Sequence, residues 1–301
     1  MNRNLEDVTI SIIGREPILE DEIFNSLKGI GVENLISYDF SSGNMEMEVD
    51  GDLEARLYLP LDEARILDSD FVFIVGKFEK KCLSFLKSGQ SKSKLFILSE
   101  TPIYDDSYEG LNIVSPETLI IKEILNCLED FNPVSFFWSI YSSASSRGKG
   151  GLQELFLQTR DILNFQKIKN EQFAFKLVPS KPQIPEHLEN EIKKTTSFKG
   201  FLLRNEISVP IFYGTYLYFI SELKNGVDKT GKIDAIKRFK ESDSFDFETE
   251  ISKITATAPG KKPLLFTNFN GENHITGFVG FDNCAMLANE VAKIVKGEVE
   301  R

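Results

Sequence analysis

The 301-residue sequence predicts an α/β domain on an open parallel sheet, followed by an α+β domain whose sheet is mostly antiparallel. Three observations predict it. Short β-rich runs alternate with helix-period stretches at the N-terminus, an apolar segment at Val134 to Tyr141 marks a change of character, and longer strand candidates follow.

Val8 to Ile13 is a β-rich run ending at Gly14, after which Ile18, Ile23, Leu27 and Ile30 recur at helical spacing. Further strands are expected at Leu35 to Phe40, Phe71 to Val75 and Leu95 to Leu98, with Phe78 to Leu86 as a crossover helix. Val134 to Tyr141, containing Phe136, Phe137 and Trp138, suits a strand buried on both faces. Leu152, Leu155, Phe156, Thr159, Ile162 and Leu163 make one stripe of an amphipathic helix whose start is set by Gly148, Gly150 and Gly151. Strands are then expected at Phe201 to Val209, Phe212 to Ile220, Leu264 to Phe269 and Ile275 to Phe281, and helices near Pro185 to Thr195 and Lys229 to Phe239. A last helix, about Cys284 to Val295, carries Met286, Leu287, Val291, Ile294 and Val295 and needs an apolar surface to cover.

Composition narrows the functional classes. With 35 Lys and Arg against 46 Asp and Glu, the formal charge is −11, which repels a phosphate backbone, so nucleic acid is not an expected partner. No apolar run approaches the roughly 18 residues that span a bilayer, and Met1 to Asp7 lacks a signal-peptide core. No membrane association and a cytoplasmic location are expected. Cys82, Cys127 and Cys284 form no CxxC pair, so neither a disulfide framework nor a metal site is encoded.

The segment Arg147 to Asn164, with Glu154-Leu155 and Gln158-Thr159-Arg160 on its helix, resembles the glycine loop and E-L-x-x-Q-T-R helix of aspartate-semialdehyde dehydrogenases. Phe173 to Pro179, Val209-Pro210-Ile211-Phe212-Tyr213-Gly214 and Asp282-Asn283 follow in that family's order. The resemblance implies a Rossmann-type domain over 1–130 completed by a C-terminal helix at 282–301, and a semialdehyde dehydrogenase-like dimerisation domain over 131–281. It also implies a homodimer. The family reduces or oxidises a semialdehyde/acyl-phosphate pair with NADP, using a cysteine thiolate, a histidine acid/base and an arginine for the substrate carboxylate.

Each of those groups has a matching position here. The cysteine position holds Pro116, where Ser115 and Pro116 instead suit the start of a helix. Cys127 lies about 16 Å further along that helix at 1.5 Å per residue and cannot substitute. The arginine position holds Ser208, the histidine position Thr215, and the glutamine that orients the thioester falls at Ser142. Tyr104 stands in for a second arginine, and a substrate-binding lysine is retained at Lys193. Cys284, with His274 upstream, is the remaining thiol that could be activated.

A dinucleotide turn of the form G-x-x-G-x-x-G lets the backbone approach phosphates. Here Gly14 alone matches as a cofactor-binding residue, Pro17 lacks an N–H, and Glu16, Glu20, Asp21 and Glu22 bring like charge. A phosphate 5 Å from one carboxylate meets repulsion of about 3 kcal/mol at an effective dielectric near 20. NADP, the family's cofactor, is therefore not expected to bind, and Gly76-Lys77-Phe78 replaces the family's second glycine pair.

The resulting expectation is a catalytically inactive homologue acting as a homodimeric binding, scaffolding or regulatory protein, with no catalytic residues of its own. The alternative is an NADP-dependent semialdehyde dehydrogenase with a rearranged site using Cys284 or His274. A third reading is a small-molecule sensor with Tyr104, Tyr141 and Tyr213 lining the ligand site.

Overall fold

The computed structural model describes residues 4–39, 45–48, 56–76, 93–98, 112–168, 171–224, 227–254 and 262–300. The chain divides into two compact units. One takes the described residues of Met1–Glu100 and Tyr108–Ser115 with Cys284–Arg301, and the other takes Pro116–Asn283.

In the first unit the chain runs β1 (Thr9–Ile13), α1 (Pro17–Gly29), β2 (Asn34–Asp39), β3 (Glu46–Glu48), β4 (Arg56–Pro60), α2 (Glu63–Asp68), β5 (Phe71–Val75), β6 (Lys94–Leu98) and β7 (Asn112–Val114). The strands form one sheet in the order β3-β4-β2-β1-β5-β6-β7, parallel except where β3 meets β4. β1 lies at the centre, where a nearly continuous apolar run is stable because both faces are covered. Ile10 and Ile12 of β1, with Val8 just before it, share a core with Phe71, Phe73 and Val75, with Leu19, Ile23 and Leu27 of α1, and with Leu287, Val291 and Val295 of the C-terminal helix. Each of those three C-terminal side chains is fully buried, worth about 1.5–3 kcal/mol apiece. The apolar surface that this helix required is thus the N-terminal sheet.

The second unit runs α3 (Pro116–Leu128), β8 (Pro133–Ser142), α4 (Gly148–Leu163), β9 (Val178–Pro179), α5 (Glu186–Thr195), β10 (Phe201–Ser208), β11 (Thr215–Leu223), α6 (Lys229–Glu241), β12 (Asp246–Phe247), β13 (Leu264–Asn270) and β14 (His274–Phe281). α7 (Asn283–Val299) follows and is the helix that joins the first core. The second sheet has the order β12-β13-β14-β11-β8-β10-β9, antiparallel except for β8 with β10 and β12 with β13.

Two expectations change. The strand expected from Phe212 begins at Thr215, because the carbonyls of Ile211 and Phe212 accept the N–H groups of Ala144 and Ser145 at 2.9 Å and Gly214 turns the chain at φ +84°. β8 is not buried on both faces: Phe136, Trp138 and Ile140 are inside, whereas Phe137 and Tyr141 on the other face are half-buried. β3, β4 and α2 are short elements that the hydrophobic pattern did not mark. The expected crossover helix at Phe78 to Leu86 lies outside the described residues. No helix among the described residues is long and apolar enough to cross a membrane.

Candidate functional site

The first candidate is the turn from β1 into α1. Gly14 sits at φ +127°, and a Cβ there would lie 2.0 Å from the Val75 carbonyl oxygen, so the close approach of two strand ends already accounts for this glycine. α1 then starts at Pro17, one of the few places a helix tolerates a missing N–H. The N–H of Glu16 donates to Glu20 Oε1 at 2.9 Å, from within the same first turn. The Glu20 carboxylate is fully buried and is held from three other directions: Tyr58 donates at 2.9 Å, Ser37 at 3.2 Å and Arg56 at 3.3 Å. Burial pushes its pKa up, and the Glu16 N–H, the Arg56 charge and the two hydroxyls pull back against that. Arg56 also bonds Asp21 and lies 4.3 Å from the Phe24 ring centre.

Arg15 is the cation nearest the turn. Its guanidinium donates to Asp39 at 3.1 Å and to Glu46 at 2.9 Å, and sits over the Tyr58 ring. A dinucleotide pyrophosphate needs free N–H donors and unopposed positive charge at such a turn. Here a carboxylate takes the Glu16 donor, Pro17 offers none, and Arg15 is held between two acids.

The second candidate lies in the second unit, at one end of the sheet. Ser142 of β8 is in register with Ser208 of β10 on one side and Thr215 of β11 on the other. Side chains of directly paired residues stand about 5 Å apart on one face, so the three positions expected to match the family's glutamine, arginine and histidine come together on one rung. Ser142 donates to Glu206 at 3.0 Å, and Ser208 accepts from Arg147 at 3.2 Å. The Thr215 hydroxyl is buried and has no hydrogen-bond partner among the described residues.

Beneath that rung runs a buried ionic chain. Arg204, 1% exposed, grips Glu117 through Nε at 2.6 Å and Nη2 at 3.1 Å, and reaches Glu206 at 3.0 Å. Trp138 donates its indole N–H to the same Glu117 at 2.6 Å. Glu117 is the second residue of α3, directly after Pro116, so the chain of bonds ties the start of that helix to β8 and β10. A serine or threonine hydroxyl acts as a nucleophile when a neighbouring base takes its proton. The carboxylate in reach of Ser142 is shared with Arg204, and no imidazole stands on this rung.

The remaining singled-out residues are dispersed. Cys127 is buried in α3 with its thiol pushed up to about 12, by desolvation first and then by Glu123, so it stays protonated at neutral pH. His274 opens β14 and is exposed, with the rest of that strand separating it from the start of α7. Cys284 is partly buried against the N-terminal core. Lys193 stands on α5, half-exposed and paired with Glu189 one turn earlier. Tyr141 points to the face opposite Ser142, and Tyr213 is exposed on the turn before β11. Tyr104 and Cys82 lie outside the described residues.

The structure also accounts for the helix motif. Gln158 Oε1 accepts the N–H groups of Phe173 and Ala174 at 2.7 and 3.0 Å, while Nε2 donates to Glu154 and to the Glu171 carbonyl. A Cβ on Gly151 would sit 2.4 Å from the Ala144 carbonyl, so this glycine seats α4 against the preceding turn. What the sequence reading missed was the Glu117–Arg204 pair. Its signal was an arginine at a period-2 position shared with Leu202 and Ser208.

No protein-family model and no curated protein matches the sequence. Solved structures do match over nearly the whole chain. Aspartate semialdehyde dehydrogenase II from Vibrio cholerae aligns with a TM-score of 0.74 at 14% identity, covering 96% of this chain and 98% of its own. A probable aspartate-semialdehyde dehydrogenase from Pseudomonas aeruginosa gives 0.76 at 13%, over 97% and 98%. The aspartate semialdehyde dehydrogenase from Francisella tularensis gives 0.71 at 12%, over 96% and 100%. The fold is therefore that of these dehydrogenases: a Rossmann-type unit plus an α+β unit, with the last helix returned to the first.

Proposed function

We propose that this chain is a catalytically inert relative of aspartate-semialdehyde dehydrogenase that serves in the cytoplasm as a homodimeric binding, scaffolding or regulatory protein. The observation that carries the reading is the rung Ser142, Ser208 and Thr215 together with Pro116 at the start of α3, on a fold otherwise kept over nearly its full length. Hydride transfer to a thioester requires a thiol nucleophile and an acid/base group. Hydroxyls and a proline supply neither, and the polar groups around them are consumed in mutual bonds. The same reading extends to NADP, whose phosphates the β1–α1 turn is ill-suited to hold. The alternative, a rearranged dehydrogenase site using Cys284 or His274, is not favoured, since His274 is exposed at the far end of β14 from Cys284, which is partly buried against the N-terminal core.

The homodimer is supported by the outer face of the second sheet. In register across it stand Leu203 and Phe201 of β10, Phe137 and Tyr141 of β8, Tyr216, Tyr218 and Ile220 of β11, and Phe278 of β14, all half-buried or exposed. An apolar face of this extent favours burial against another surface. Sedimentation equilibrium is expected to give twice the 34.1 kDa monomer mass, and a monomer at micromolar concentration would remove the homodimer from the reading.

A further inference from the structure

We propose that Glu20 is an internal anion that closes the β1–α1 turn, an autoinhibitory contact filling the place where a phosphate would otherwise dock. The inference rests on the reading that the turn holds no dinucleotide and supplies the reason for it. A helix N-terminus attracts negative charge through its free N–H groups and dipole. In this turn the attraction is met from within the chain. Glu20 reaches back to the Glu16 N–H, and Tyr58, Ser37 and Arg56 converge on the same carboxylate from β4 and β2. Four donors from three elements around one fully buried carboxylate is the donor set expected of an anion site, with a side chain as its ligand.

Removal of that side chain should open the site rather than merely weaken the fold. Glu20→Ala leaves the Glu16 N–H, both hydroxyls and Arg56 Nη1 directed at one space without the Glu20 charge, Asp21 remaining on the other guanidinium nitrogen of Arg56. Glu20→Gln keeps an oxygen for the Glu16 N–H, and with it the fold, while discarding the charge. Inorganic pyrophosphate is the probe, titrated by calorimetry and by thermal shift into wild type and both variants, with NADP titrated into wild type alongside. At least a tenfold gain in pyrophosphate affinity in Glu20→Ala or Glu20→Gln, absent from wild type, is expected. No gain in either variant, or equal binding by wild type, overturns the internal-anion role and leaves the proposed function standing. NADP bound tightly by wild type would instead overturn both.

Discussion

Glu20 is buried without exposure, so its ionisation is coupled to folding. Burial raises its pKa in the folded chain above the value near 4.3 of a free glutamate. Between the two values the folded state holds a proton that the unfolded state has released. Its contribution to stability is therefore complete below about pH 4.3 and is lost as the pH climbs through the raised value. Urea titrations of wild type and Glu20→Gln should show the wild-type advantage shrinking with rising pH from there upward; an advantage that grows instead would refute the assignment. Cys127 provides a second residue-level expectation. With its thiol pushed up to about 12 inside α3, iodoacetamide should leave it unmodified in the folded protein at pH 7.5 and alkylate it in urea. Mass spectrometry showing rapid native labelling would place that cysteine in a different environment.

Among the elements, the ion chain from α3 to β10 is the most exposed to a single change. Arg204→Ala strands Glu117 and Glu206 without their shared cation, a loss of about 3–5 kcal/mol by analogy with broken buried pairs. Denaturant unfolding measures it, and a cost under about 1 kcal/mol would mean that the network is solvated. Long periodic elements were legible in the sequence because burial imposes their period. The alternation of β11 is an example; α4 was legible as a helix, but Phe156 and Leu163 of its expected stripe are exposed and Gly151, Leu155 and Gln158 are the residues it buries. β3 and β4 were not, since an edge pair with Glu46, Glu48 and Arg56 shows no apolar alternation. At the site, Ser142, Ser208 and Thr215 were singled out by a family-like order of motifs, whereas their place on one rung is read from the strand register. The grip of Arg204 on Glu117 could not be foreseen: its partners are 87 residues apart, and only the pairing of β8 with β10 brings that side of the sheet to α3. Gly14, read as a remnant of a phosphate turn, has a packing role at Val75 that no sequence pattern reveals.

For the molecule as a whole, the α4 splint through Gln158 and the return of α7 to the first sheet serve the two cores. On the proposed site's rung, Ser142 and Ser208 are bonded within the chain, whereas the Thr215 hydroxyl has no partner among the described residues. The account therefore turns on whether any semialdehyde chemistry remains. Purified protein incubated with NADP, phosphate and aspartate semialdehyde, followed by the absorbance of reduced nicotinamide, measures this directly. No protein-dependent increase is predicted, at any enzyme concentration. Turnover proportional to protein, and abolished by substituting Cys284 or His274, would contradict the account.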